Sequence, residues 1–233
     1  MESLVSFSKW LSKWFTVAVI LWAAFNYALP ATSSWVIPNT AYLLGLILFG
    51  MGLTLTTEDF KRIAKRPIPV VLGTVAHYVI MPGLAWLLCM IFHLKGATAA
   101  GVILVGSCPS GTSSSVMAFL SGGDVALDVS IETLSTLLAF LAGQYVSVPA
   151  QSLFLSTLRI VVVPIILGVL VHSIFGKKID AIIKIMPLIS QAAILLIVGA
   201  VVSANHANIF TAATALVIPV VMLHNLCGYA LGF

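Results

Sequence analysis

Gly-Ser-Cys-Pro-Ser-Gly-Thr-Ser-Ser-Ser, residues 106 to 115, stands in the middle of an apolar run from Ala97 to Leu120. Pro109 removes a backbone donor, and Gly106 and Gly111 are poor helix formers. In a lipid solvent, non-helical backbone is tolerated only where it lines a cavity or is buried in protein. A single proline in a membrane helix reads as a packed kink, and Pro164, Pro187 and Pro219 read that way. A proline flanked by two glycines and a row of hydroxyl residues reads as a functional break in a spanning helix.

The rest of the chain establishes that lipid is the solvent. Apolar residues make up 61% of 233 positions and charged residues 8%, with a mean hydropathy of +1.15. A soluble globule cannot cover that much apolar surface. Continuous apolar runs of about 20 residues, rather than alternation over about ten, select helices over a barrel. Eight segments follow: 14–31, 35–55, 68–94, 97–120, 125–142, 152–175, 182–202 and 209–233. A basic linker (Lys61, Arg62, Lys65, Arg66) separates the second and third, and a polar stretch, 143–151, separates the fifth and sixth.

With the N-terminus in the cytoplasm, nine basic residues fall inside: Lys9, Lys13, Lys61, Arg62, Lys65, Arg66, Lys177, Lys178 and Lys184. Only Lys95 falls outside, so the positive-inside rule predicts that orientation in the cell inner membrane. The net charge of +4 therefore reports topology, and no nucleic-acid partner is expected. Cys89, Cys108 and Cys227 lie in apolar segments without metal or redox spacing. The N-terminus carries no signal-peptide cleavage pattern, so the first helix is its own insertion signal.

A broken helix offers two kinds of unpaired group. The second half begins near Thr112, where free N–H groups and the helix dipole attract an anion. The first half ends near Ser107, where free carbonyls attract a cation, and the hydroxyls of residues 112 to 115 add oxygen ligands for a hard ion such as sodium. Asp128 and Glu132 stand four apart on one face of the fifth segment, continued by Ser135 and Thr136. Two neighbouring acids in low dielectric resist ionising together. Asp128 reads either as an interface position or as a site residue, and Glu132 as a buried site residue. His77 reads either as a neutral histidine bonded between helices or as a ligand. Arg159 reads as a snorkelling or paired arginine, or as a contact for a substrate carboxylate. His224-Asn225 reads as interhelical glue.

These residues resemble a known family. Gly-Ser-Cys-Pro-Ser-Gly-Thr-Ser-Ser-Ser-Val-Met, 106 to 117, is similar to the Gly-x-Cys-Pro-Gly-Gly-Thr-x-Ser-Asn-x-Met motif of the bile acid:sodium symporter family. Gly-Gly-Asp-Val-Ala-Leu-Asp-Val-Ser and Leu-Ser-Thr-Leu-Leu-Ala, within 122 to 139, resemble its fifth helix, and His224-Asn225-Leu-Cys-Gly-Tyr its eighth. The resemblance implies an all-α, inverted-repeat fold of ten helices with a panel and a core domain, of which about eight helices are expected here. It implies a panel at 1–66 (helices 1 and 2) and 144–206 (helices 6 and 7). The core is then 67–143 (helices 3 to 5, with helix 4 broken) and 207–233 (helix 8). It implies an alternating-access symporter, a monomer or weak oligomer in lipid, importing a small organic anion with sodium. Within the family the likeness is greatest to bacterial transporters of pantothenate precursors, which implies ketopantoate or pantoate. The implied cation ligands are Ser114, Ser115, Asp128, Glu132 and His77. The implied substrate contacts are Gly111, Thr112 and Ser113.

The sequence departs from the family pattern in three ways. Relatives carry Asn at Ser115, Gln at His77 and hydroxyl residues at Asp128 and Glu132, so proton coupling is the alternative to sodium. The chain stops at Phe233, before the ninth helix with its Glu-x-Gly-Met-Gln motif, and so reads as truncated. After Leu138-Ala139 relatives continue with a proline-containing half-turn, whereas Phe140-Leu141-Ala142-Gly143 follows here, about one to three helical turns fewer. Two rival classes remain. A channel or passive uniporter also uses broken helices. An enzyme is not expected: neither a paired-histidine zinc helix nor Gly-x-Ser-x-Gly occurs.

Overall fold

A computed structural model describes residues 10–65, 67–143, 158–209 and 211–232. Lys9, Arg66, the 144–151 stretch and the first residues of the sixth segment lie outside the described residues. The regular secondary structure of the described residues is helical, with no strand among them. In chain order these are α1 (Phe15–Ala28), α2 (Thr40–Thr54), α3 (Thr57–Lys65), α4 (Ile68–Ile91), α5 (Gly96–Gly106) and α6 (Thr112–Leu120). They continue as α7 (Val125–Gly143), α8 (Val163–Phe175), α9 (Asp180–Asn205) and α10 (Ala212–Gly232). Tight 3-10 turns at Pro30–Thr32 and Ser34–Asn39 lead into α2, and a wide π turn, Leu158–Val162, leads into α8.

Helical runs at Pro30–Thr54, Ile68–Ile91 and Asp180–Asn205 are long and apolar enough to cross a membrane. Shorter apolar helices include Phe15–Ala28, Gly96–Gly106, Arg159–Phe175 and Leu216–Leu231. Their outward faces carry large apolar side chains such as Ile20, Leu21, Tyr42, Leu72, Ile174 and Met222, as lipid requires and water forbids. Pro187 and Pro219 sit inside continuous helices, as expected of packed kinks. Pro164 is the second residue of α8, inside the helical run Arg159–Phe175 that begins in the π turn.

The helices pack in two groups. In one, α2 packs on α8 and α9, and α9 also packs on α1. In the other, α4 packs on α5, α7 and α10, and α6 packs on α7. The α2–α8 contact is backbone against backbone. A Cβ on Gly52 would strike the Ile165 carbonyl, and one on Gly168 the Phe49 carbonyl and the Gly52 backbone. Small residues allow this approach, and dispersion between the backbones then holds the pair where lipid supplies no hydrophobic drive. In the second group, His224 donates from Nε2 to the Met81 carbonyl at 2.9 Å and is buried there, joining α10 to α4.

Two clusters join the groups. Val116 of α6 is buried with Ile47 and Met51 of α2 and Ala193 of α9. Ala126 and Val129 of α7 are buried with Leu48, Leu55, Val161 and Ile165, and Phe60 and Ile63 of α3 close over them. The segment read as a basic linker is therefore partly an amphipathic helix. Thr56 and Asp59 start it as a reciprocal cap: the Thr56 N–H and O–H donate to Asp59 Oδ2 (3.0 and 2.7 Å), and the Asp59 N–H donates to Thr56 Oγ1 (3.3 Å). Hydropathy overlooks α3 because only one of its faces is apolar. Its basic residues share an end of the bundle with the Gly176–Ile179 turn, since Leu53 packs on Ile179 and His172 Nδ1 donates to the Leu55 carbonyl at 2.9 Å.

Candidate functional site

The fourth segment is two helices. α5 ends at Gly106 and α6 begins at Thr112, so residues 107–111 are not helical. Gly111 is extended (φ −90°, ψ 142°), and no side chain caps the α6 N-terminus. Its first N–H groups therefore lack helical partners, and the positive end of the helix dipole is uncovered. At about 1.5 Å per residue the two halves rise roughly 16 and 13 Å, which places the break near mid-membrane depth.

Neighbouring helices hold the unwound stretch. His77 of α4 donates from Nε2 to the Cys108 carbonyl at 2.9 Å. A carbonyl only accepts, so this bond fixes the proton on Nε2. Ser135 of α7 accepts the Ser110 N–H at Oγ (3.3 Å), and its own carbonyl accepts the Tyr78 O–H at 2.6 Å. Two backbone groups of the break, the Cys108 carbonyl and the Ser110 N–H, are thus satisfied inside the protein, as the membrane interior demands. His77, read as either glue or ligand, spends one nitrogen on the carbonyl end of the first half-helix.

The acids lie on the other side of the break. Ser115 Oγ is 2.6 Å from Asp128 Oδ2 and 3.1 Å from Glu132 Oε2. Ser114 Oγ is 3.2 Å from the same Asp128 oxygen and 2.7 Å from the Gly111 carbonyl. Glu132 and Ser115 are 1% and 0% exposed, and Asp128 is half-buried. The structure thus brings Ser114, Ser115, Asp128 and Glu132 into one cluster beside the break. Ser115 has a single proton and touches two carboxylates. It donates to one of them, so the other contact needs a proton on the acid or a cation shared between the acids.

Among the described residues no group of three or more His, Cys, Asp or Glu could hold a metal ion. The donors gathered here are carboxylates and hydroxyls, oxygen ligands that suit a hard monovalent cation taken as cargo better than a soft transition metal. Gly111 and Ser113 are exposed at the start of α6, while the Thr112 side chain lies outside the described residues. Arg159 is exposed in the π turn and forms no ion pair with a described residue.

Two features escape a reading of the sequence. Tyr78 clamps Ser135, and nothing in an apolar run distinguishes that tyrosine beforehand. Asp124 accepts the Leu127 N–H at 3.1 Å to start α7, and stands 3.3 Å from Arg62 of α3. Its spacing of four from Asp128 was the available signal. Asp124, just before α7, and Asp128 and Glu132 on it form a row that runs from an exposed end to a buried one. A cavity of about 450 Å³ opens at the exposed end, lined by Thr54, Asp59, Arg62, Phe119, Gly123 and Asp124.

Residues 41–212 match the Sodium Bile acid symporter family. The chain is 40% identical to the "Uncharacterized sodium-dependent transporter YocS" of Bacillus subtilis (strain 168), over all of this chain and 75% of that protein. It is 36% identical to the "Probable sodium/metabolite cotransporter BASS2, chloroplastic" of Oryza sativa subsp. japonica, over 96% of this chain but 55% of that one. Against the "Probable sodium/metabolite cotransporter BASS1, chloroplastic" of Arabidopsis thaliana it is 31% identical and spans 62% of the relative. Those names describe transporters, not enzymes, in keeping with the apolar helices and with a broken helix facing buried acids. The chain belongs to the sodium bile acid symporter family, whose members are multi-pass, sodium-dependent membrane transporters.

Proposed function

We propose that this protein is a secondary active symporter that brings a small organic monocarboxylate, such as ketopantoate or pantoate, across the cell inner membrane on a sodium gradient. The observation that carries the reading is the helix break at 107–111, followed by an uncapped helix N-terminus and, one turn on, the Ser114, Ser115, Asp128 and Glu132 cluster. The N-terminus of α6, at Gly111, Thr112 and Ser113, suits a carboxylate. The oxygen cluster one turn on suits sodium. Anion and cation bound on one short helix each lower the cost of desolvating the other, which couples their movement. Panel (1–66 and 144–206) and core (67–143 and 207–233) then move against each other with both cargoes at their junction, where α6 packs on α2 and α9.

Proton coupling is the second reading, favoured by the single Ser115 proton between two carboxylates. One assay separates these readings. Vesicles carrying the protein take up labelled ketopantoate with an imposed sodium gradient, a pH gradient, or neither. Accumulation above equilibrium with sodium alone is the expected result. Accumulation with the pH gradient alone moves the coupling to protons, and mere equilibration under every gradient leaves a passive carrier.

The hydroxyl at Thr112 is expected to bind the carboxylate. Thr112→Val should weaken apparent substrate affinity by about five-fold or more, the value of one hydrogen bond of about 1 kcal/mol. Unchanged affinity for ketopantoate, pantoate and other monocarboxylates would remove Thr112 from the site.

A further inference from the structure

A second concave feature lies away from the break. α3, α7 and α8 enclose a groove of about 330 Å³, lined by Phe60, Val129, Thr133, Ile166, Val169 and Leu170 among others. Its one polar side chain among the described residues, Thr133, donates its hydroxyl to the Val129 carbonyl at 2.8 Å within α7 and offers no donor to a ligand. A carboxylate entering this groove would lose its water and find no replacement. The groove therefore takes hydrocarbon. Ile166 and Leu170 are 51% and 50% exposed, so it opens sideways to the lipid phase.

Charge at one end selects among lipids. Phe60, which lines the groove, belongs to an amphipathic helix whose exposed face carries Lys61 and Lys65. Lys61 reaches Glu58 at 2.7 Å in a pair exposed on both sides, which water screens and which a phosphate can displace. Lys65 forms no ion pair with a described residue. An apolar slot beside two accessible ammonium groups at the end of the bundle matches a two-part ligand, an acyl chain with an anionic head.

We propose that this groove holds an acyl chain of an anionic phospholipid, with its phosphate on Lys61 and Lys65. The walls come from both packing groups, α7 from one and α8 from the other, so the bound lipid spans their junction.

Ile166→Trp places a fluorophore in the groove. The variant is reconstituted in phosphatidylcholine vesicles containing a low, equal mole fraction of either phosphatidylglycerol or phosphatidylcholine with brominated chains, and the quenching of the parent protein, with its native tryptophans, is subtracted. Phosphatidylglycerol should quench about five-fold more effectively, the selectivity of one well-placed basic residue. Lys61→Gln with Lys65→Gln should remove that difference while leaving the weaker quenching by phosphatidylcholine. Leu170→Trp repeats the measurement from an independent position should Ile166→Trp not fold. Equal quenching by the two lipids, or a preference that survives loss of both lysines, overturns the proposal.

Discussion

Glu132→Gln should lower gradient-driven accumulation by about ten-fold or more while leaving substrate exchange at equilibrium close to that of the parent. Glu132 is 1% exposed and touches Ser115, which also bonds Asp128. Glutamine keeps the shape and one oxygen but cannot carry the charge that balances a cation, and hydrogen bonds to charged groups are worth about 1.5–3 kcal/mol. Exchange does not require the carrier to return empty, so it tolerates a weakened coupling site; accumulation requires that the empty carrier and the half-loaded carrier behave differently. Proteoliposomes loaded with unlabelled substrate measure exchange, and the same vesicles under an imposed gradient measure accumulation. Full accumulation by the variant, with sodium and pH dependence unaltered, would show that Glu132 plays no part in coupling.

Gly168→Ala should destabilise the protein by about 1–3 kcal/mol, the range for overpacking a tight contact. One methyl group at that position meets the Phe49 carbonyl and the backbone of Gly52, not the end of a side chain that could swing away. α2 and α8 must then separate, and dispersion along their whole contact weakens. Gly83→Ala is the control: it lies within α4 with nothing inside 4 Å of its would-be Cβ, so helix propensity alone acts and stability should hold or rise. Apparent thermal midpoints of the purified protein in one detergent compare them. Equal midpoints for the two variants would sink the account of the α2–α8 contact.

Some of this architecture was legible residue by residue. Hydropathy located the spanning segments, since lipid exposure acts on each side chain separately. Pro109 between two glycines located the break, since it alters the backbone hydrogen bonds of its own turn. The spacing of Asp128 and Glu132 placed both on one helical face, and the family motifs led to the family. Thr56-x-x-Asp59 was equally local, but a search for apolar runs passes over a helix with one polar face.

The remaining features depended on partners far along the chain. His77 meets a carbonyl at Cys108, Tyr78 one at Ser135, and Arg62 a carboxylate at Asp124. Gly52 and Gly168 matter only because α2 and α8 touch along those faces. Ser115 could be named as a possible ligand from its motif, but its place between two carboxylates depends on how α6 crosses α7. Local rules act through the turn and the solvent, so they fix where a helix starts, stops and breaks. Which oxygen meets which proton across two helices follows from packing angles that no single segment contains.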